Sequence, residues 1–144
     1  MNEYSRLRRL NHLFAQIDVI YHEAALHMGL SDSAMMVLYT LCIEGGSCLI
    51  GKIISQSNIS KQTLNSALRM LEKEGLIRLE TDHGRRKRAC LTEEGNARCK
   101  ETVSQLIEVE NRIFDAWTDE EREAYLSLTQ KYRDMLKTGV EGMK

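Results

Sequence analysis

The stretch SNISKQTLNSALRMLEKEGLIRLETDHGRRKRACL, running from Ser57 to Leu91, decides how the rest of the chain is read. Ser60 is a good N-cap and Gly75 a good helix stop, so the residues between them form a helix. On a helical wheel Leu64, Ala67, Leu68 and Leu71 share one face, while Gln62, Asn65, Ser66, Arg69 and Lys73 share the other. Two faces imply two jobs, packing and contact. Leu76 to Thr81 then reads as a strand, Asp82-His83-Gly84 as a turn, and Arg86 to Leu91 as the returning strand. The tip of this hairpin carries Arg85, Arg86, Lys87 and Arg88 in succession. Within the stretch Lys and Arg number eight (61, 69, 73, 78, 85, 86, 87, 88) and acids four (72, 74, 80, 82), a net +4, whereas the whole chain is −1. Everything outside it therefore sums to −5. Positive charge segregated beside a helix is the electrostatic footprint of nucleic-acid binding.

Outward from this stretch the chain is helical. Leu7, Leu10, Phe14, Ile17, Tyr21, Ala24 and Met28 alternate steps of three and four, with Leu13 and Ile20 widening the stripe, which predicts one long amphipathic helix ending near Gly29. Ser31 or Ser33 caps a second helix through Met35, Val37, Leu38 and Leu41, stopped by Gly45-Gly46. Ile50, Ile53 and Ile54 support a short third helix, and Ser60 opens the fourth. Thr92 with Glu93 and Glu94 opens a fifth, carrying Val103, Leu106, Ile107, Ile113, Phe114 and Trp117. A capping box, Thr118 with Glu121, opens a final helix bearing Tyr125, Leu128, Tyr132, Met135 and Leu136. The expected fold class is mostly α with a small β-hairpin.

Composition narrows the function classes. A chain of 144 residues, 42% hydrophobic and 28% charged, is the size of one soluble domain and buries a core without disulfides. No apolar run approaches the ~20 residues that cross a bilayer, and Met1 to Arg9 leads into an amphipathic segment rather than a signal-peptide core, so no membrane partner and a cytoplasmic location are expected. Cys42, Cys48, Cys90 and Cys99 are not spaced as CxxC pairs and read as small buried hydrophobes, with redox sensing by one of them as the alternative.

The chemistry of the central stretch suits double-stranded DNA. Asn and Gln pair with adenine in bidentate fashion and Arg with guanine in the major groove. Gln62, Asn65, Ser66 and Arg69 are therefore the expected base readers. Lys61 and Thr63, near the helix N-terminus, and Arg86, Lys87 and Arg88 on the hairpin are expected to hold phosphates. Arg85 at the tip suits a narrow A·T-rich minor groove. A solvated polar face and a solubilising basic hairpin are the plain alternatives; their adjacency favours DNA.

Ser60-Lys61-Gln62-Thr63-Leu64-Asn65-Ser66-Ala67-Leu68, followed by Leu71-Glu72-Lys73-Glu74-Gly75-Leu76-Ile77 and closed by Leu91-Thr92-Glu93-Glu94-Gly95, resembles the MarR family of winged helix-turn-helix transcription regulators. The likeness extends over nearly the whole chain and is most specific from Ser60 to Gly95. It implies a homodimer built from the first helix and the last two, a reading helix over Ser60 to Glu74, and a wing over Leu76 to Leu91. It also implies a single domain over 1–144, with a DNA-binding lobe at 30–95 and dimerisation helices at 1–29 and 96–144. Family wings commonly carry an Asp two residues before an Arg that itself precedes Leu-Thr by six. Arg85 matches that Arg, whereas His83 stands in the Asp place with Asp82 beside it.

The long stripe from Leu7 to Met28 supports the dimer independently, because it is too long and too apolar for a helix packing on one side of a small domain. Phe114, Trp117, Tyr125 and Tyr132 complete the expected interface, with an intramolecular bundle as the alternative. A symmetric dimer would read a pseudo-palindromic operator. The resemblance implies a repressor more often than an activator, and many members bind small aromatic ligands. Such a ligand is expected where the first, second and fifth helices meet, lined by Tyr21, Met35, Met36 and Tyr39, which otherwise only fill the core. No cofactor is called for. A metal-sensing variant would need His22, Glu23, His27, Glu108 and Glu110 to converge, but His22 and His27 do not share a helix face. No nucleophile and base pair or phosphate loop appears, so no enzyme is expected. A winged helix that binds protein instead of DNA would not need Gln62, Asn65, Arg69 and the basic hairpin.

Overall fold

The computed structural model describes residues 6–143; residues 1–5 of the expected 1–29 dimerisation span, and residue 144, lie outside it. In chain order the elements are α1 (Arg8–Met28), α2 (Asp32–Ile43), β1 (Ser47–Leu49), α3 (Ile50–Gln56), α4 (Lys61–Lys73), β2 (Ile77–Asp82), β3 (Arg85–Leu91), α5 (Glu93–Glu101), α6 (Val103–Ala116) and α7 (Asp119–Glu141). They form two compact units that divide after Ile107.

The first unit holds the core. Val37, Leu38 and Leu41 of α2, Ile53 of α3, Leu64, Leu68 and Leu71 of α4, and Val103 at the start of α6 are all fully buried. The apolar face expected of the fourth helix is thus the face that packs. Helix ends are set by polar caps and glycines. The Ser31 hydroxyl accepts from the Ala34 N–H at 3.1 Å, which settles the cap of α2 on the first of its two candidate serines. Ser60 does the same for α4 through Thr63 N–H, also at 3.1 Å. Gly75 stops α4 at φ 78°, and the next amide, Leu76 N–H, reaches back to the Leu71 carbonyl at 2.9 Å.

The sheet has three strands in the order β1-β3-β2, all antiparallel. Strand β1 was not foreseen: three residues are too few for an alternating pattern, and their ladder exists only once β3 lies alongside, pairing Cys48 with Ala89. The hairpin between β2 and β3 closes through His83 at φ 51° and Gly84 at φ 78°, two consecutive positive φ values, as in a type I′ turn. One threonine fastens its base. Thr92 donates its hydroxyl to the Gly75 carbonyl at 2.6 Å and its N–H to the Leu76 carbonyl at 3.1 Å, while accepting from Gly95 N–H at 3.0 Å as the cap of α5. A Cβ on Gly95 would lie 1.9 Å from the Leu76 carbonyl oxygen, so the Leu-Thr-Glu-Glu-Gly close of the hairpin admits no side chain there.

The expected single fifth helix is two helices. Thr102 leaves helical geometry at φ −128° and ψ −95°, separating α5 from α6. Its buried side chain donates back to the Arg98 carbonyl at 2.7 Å, the local competition with the backbone that β-branched hydroxyl residues offer inside helices.

In the second unit, Phe114, Trp117 and Tyr125 pack edge to face, with ring centroids 5.1–6.2 Å apart. The capping box forms as expected: the Thr118 hydroxyl accepts from Glu121 N–H at 3.1 Å and the Glu121 carboxylate accepts from Thr118 N–H at 2.9 Å, which holds that carboxyl below the usual range. Arg122 fastens the turn by donating to the Phe114 and Trp117 carbonyls and to Asp119. No described residue of α7 is buried.

Candidate nucleic-acid interface

Helix α4 turns a polar surface outward. Lys61, Gln62, Thr63, Ser66, Arg69 and Lys73 are exposed and Asn65 is half-buried beside the packing face. Their hydrogen bonds divide them. The Ser66 hydroxyl donates to the Gln62 carbonyl at 3.2 Å, and the Thr63 hydroxyl accepts from Ser60 at 2.9 Å, so both are partly occupied within the helix. Lys61, Arg69 and Lys73 make no ion pair among the described residues. Cations without an acidic partner on an exposed face keep their full attraction for an external anion.

The four basic residues of the hairpin, with Arg85 expected in the minor groove and Arg86, Lys87 and Arg88 on phosphates, divide differently by their contacts. In the β2–β3 register Glu80 faces Arg88 and Thr81 faces Arg86, so Lys87 is the extra residue of a β-bulge. Its ammonium lies 2.9 Å from the Asp82 carboxylate, which also meets the His83 imidazole at 3.4 Å. Arg88 is half-buried and donates to the Ser47 hydroxyl at 2.9 Å, tying β3 to β1. Arg85 and Arg86 are exposed, with no ion pair among the described residues. Asp82 lies opposite Arg85 in register, yet its carboxylate is taken by Lys87 and His83. The bulge and the Ser47 tether carry no sequence signal, because each depends on which strand lies alongside.

Below the helices, the Glu44 carboxylate at the end of α2 accepts from Lys52 of α3 at 2.9 Å and from Gln56 at 3.4 Å. Lys52 draws the Glu44 carboxyl below its ordinary range, and Glu44 raises the ammonium of Lys52 in return. This pair joins α3 to α2, the helix against which α4 packs.

Of the expected ligand-lining residues, Tyr21, Met35 and Met36 border one crevice of about 550 Å³. Tyr39 is not in its lining; one turn further along α2, it packs against the core. The crevice also lies elsewhere than expected, opening between α1, α2 and the Asn58-Ile59-Ser60 turn into α4 rather than beside the fifth helix. Asp18, His22 and Asp32 also line it; sequence reading weighed His22 only as a metal ligand and passed over the two aspartates. Asp18 and His22 are four apart on α1, and that spacing was the available signal.

The thiols are sequestered. Cys48, Cys90 and Cys99 are buried and Cys42 half-buried, all of them reduced. Burial pushes the Cys48 thiol up and that of Cys99 to about 11. Among the described residues no three His, Cys, Asp or Glu side chains gather as a metal site, and no single helix is long and apolar enough to cross a membrane.

A model of the MarR family matches residues 28–88, from the end of α1 to the wing. The similarity to that family lies in the lobe. The MarR likeness continues beyond it, since NMB1585, a MarR family regulator from Neisseria meningitidis, superposes with a TM-score of 0.81 and 25% identity over 99% of this chain and 100% of that one. A MarR family transcriptional regulator from Silicibacter pomeroyi superposes with a TM-score of 0.66 and 26% identity, over 85% of this chain and 84% of that one. NadR, solved in complex with 4-hydroxyphenylacetate, shares the fold with a TM-score of 0.67 and 19% identity, over 85% of this chain and 88% of that one. No curated relative matches the chain. The architecture is that of the winged helix-turn-helix MarR regulators, mostly helical with a small antiparallel sheet.

Proposed function

We propose that the chain is a homodimeric, sequence-specific DNA-binding transcription regulator of the cytoplasm, a repressor released by a small aromatic ligand, without enzymatic activity. The observation that carries this reading is the pairing of unneutralised cations on two adjacent elements: Lys61, Arg69 and Lys73 on α4, and Arg85 and Arg86 at the wing tip. Gln62, Asn65, Ser66 and Arg69 read base edges. Lys61, Thr63 and Arg86 hold phosphates, helped by Lys87 and Arg88, whose existing partners must be shared or released on binding. Arg85 enters the minor groove. Residues 30–95 form the DNA-binding lobe, and 1–29 and 96–144 the dimerisation helices. Exposed apolar side chains support the dimer: Phe14 is 49% and Ile17 43% exposed on α1, and Leu128 64% and Met135 66% on α7. Redox sensing has less support, since burial disfavours the thiolate at Cys48 and Cys99.

Selecting bound sequences from random duplex DNA and then titrating salt tests the reading. A pseudo-palindromic site is expected, with log affinity falling steeply against log salt as counterions leave both half-sites. Arg69→Ala should cost about 1–3 kcal/mol at particular base pairs, whereas Arg85→Ala should weaken binding most where the flanks are A·T-rich. A flat salt plot, or equal weakening of all sequences by both substitutions, would overturn it.

A further inference from the structure

We propose that the crevice between α1, α2 and the start of α4 takes a small aromatic cation, a protonated amine carried on a ring of phenol size. This deepens the ligand-released reading and rests on it. The walls suit a ring: Tyr21, Met35, Met36 and Ile59 line a space of about 550 Å³, within the range of small-molecule sites. Aromatic and thioether groups also favour a cation, through the negative face of a ring and a polarizable sulfur.

Charge chooses the sign of the ligand. Asp18 and Asp32 both border the crevice, and among the described residues no Lys or Arg does. His22 is the one basic group in the lining, and Asp32 already holds it, with Nδ1 at 2.9 and 3.0 Å from the two carboxylate oxygens. Whichever charge His22 carries, the carboxylates outnumber the cations. Asp18 makes no ion pair among the described residues, so its charge is the one left for an incoming ammonium. The N-termini of α2 and α4 also open here, and bare helix N-termini would favour an anion. These two are not bare. Ser31 takes the Ala34 amide, Asp32 sits in the first turn of α2, and Ser60 takes the Thr63 amide.

The same site bears on DNA reading. Ser60 and Thr63 border the crevice and also form the cap of α4, where the Ser60 hydroxyl binds both the amide and the hydroxyl of Thr63. An occupant therefore presses on the first turn of the reading helix, and ligand and DNA oppose one another reciprocally.

The test is a calorimetric titration of the full chain with two probes of one shape and opposite charge, 4-hydroxybenzylamine and 4-hydroxyphenylacetate. The amine is expected to bind at least about tenfold more tightly, a difference of about 1.4 kcal/mol. Asp18→Asn should remove most of that preference while leaving the melting temperature of the ligand-free protein unchanged. Tighter or equal binding of the carboxylate, binding of neither probe, or an undiminished preference in Asp18→Asn overturns the proposal. Binding to random-sequence duplex at low salt is measured alongside. A protein that prefers the amine but ignores DNA refutes the DNA-binding reading alone, and one that binds DNA but not the amine refutes this inference alone.

Discussion

Helices α2 and α7 both carry large apolar side chains and treat them in opposite ways. Along α2, six of twelve residues are buried, and the helix is enclosed by its own unit. Along the 23 residues of α7 none is buried, although Tyr125, Leu126, Leu128, Tyr132, Met135, Leu136 and Val140 all lie on it. An apolar side chain contributes about 1.5–3 kcal/mol only when it leaves water. The lobe thus carries its own stability, whereas α7 and the exposed stripe of α1 obtain theirs from whatever covers them. A second copy of the chain is the cover that the proposed function supplies.

The largest effect expected tests that contrast directly. Replacing Phe14 and Ile17 together with Asp would place charge in the apolar seam at a cost of several kcal/mol. Sedimentation should then show monomer or aggregate; an intact dimer would locate the seam elsewhere. Next in size, Leu68→Ala should cost about 2–5 kcal/mol in urea unfolding of the lobe, because Leu68 is wholly buried and its site cannot collapse freely. Leu128→Ala, at a side chain 64% exposed in the single chain, should cost as much only if a partner buries it. Equal costs at high dilution, where a dimer dissociates, would erase the distinction between the two helices.

A pH dependence sharpens it further. The Cys99 thiol has a folded pKa of about 11 against an ordinary 9.0. Between these values the unfolded chain releases a proton that the folded chain keeps, so its contribution is intact below about pH 9 and lost as pH rises toward about 11. Alkaline melting of the lobe should therefore be gentler in Cys99→Ala than in the parent, and identical curves would show that the thiol is not sequestered. The smallest effect belongs to the second unit. Thr118→Ala removes one half of the capping box and should cost about 1 kcal/mol, read as a lower helical signal and an earlier melt.

How much of this was legible follows from the range of the interactions involved. Helix α4, its cap at Ser60, its stop at Gly75 and the capping box at Thr118 are fixed by residues within a turn of each other, and sequence reading found them. Strand β1 and the hold of Ser47 on Arg88 join segments about 40 residues apart, and no local pattern announces them; the bulge at Lys87 is local to the hairpin, but an extra residue in one strand shows only once the register of both is known. The break at Thr102 is local yet unannounced, because no Gly or Pro marks it and a threonine is tolerated inside a helix. Tyr39, one turn along α2, packs on the core, while the crevice is lined by Tyr21, Met35 and Met36. Its carboxylates were missed because an acidic residue on an exposed helix face looks like ordinary solvation until a cavity is seen beside it.

Thr92 makes the wing a lever with a fixed fulcrum. Its three hydrogen bonds clamp the root of the hairpin to the start of α5, while β2 and β3 project from that clamp to His83 and Gly84. Beyond the pairing of Leu49 with Arg88, about three strand residues at ~3.3 Å each make a free arm of about 10 Å, so a tilt of about 6° there moves the tip by ~1 Å. Arg85 sits at the end of that arm. A change at α5 too small to disturb any packed side chain is thus enlarged at the tip to a displacement that the geometry of a hydrogen bond can register.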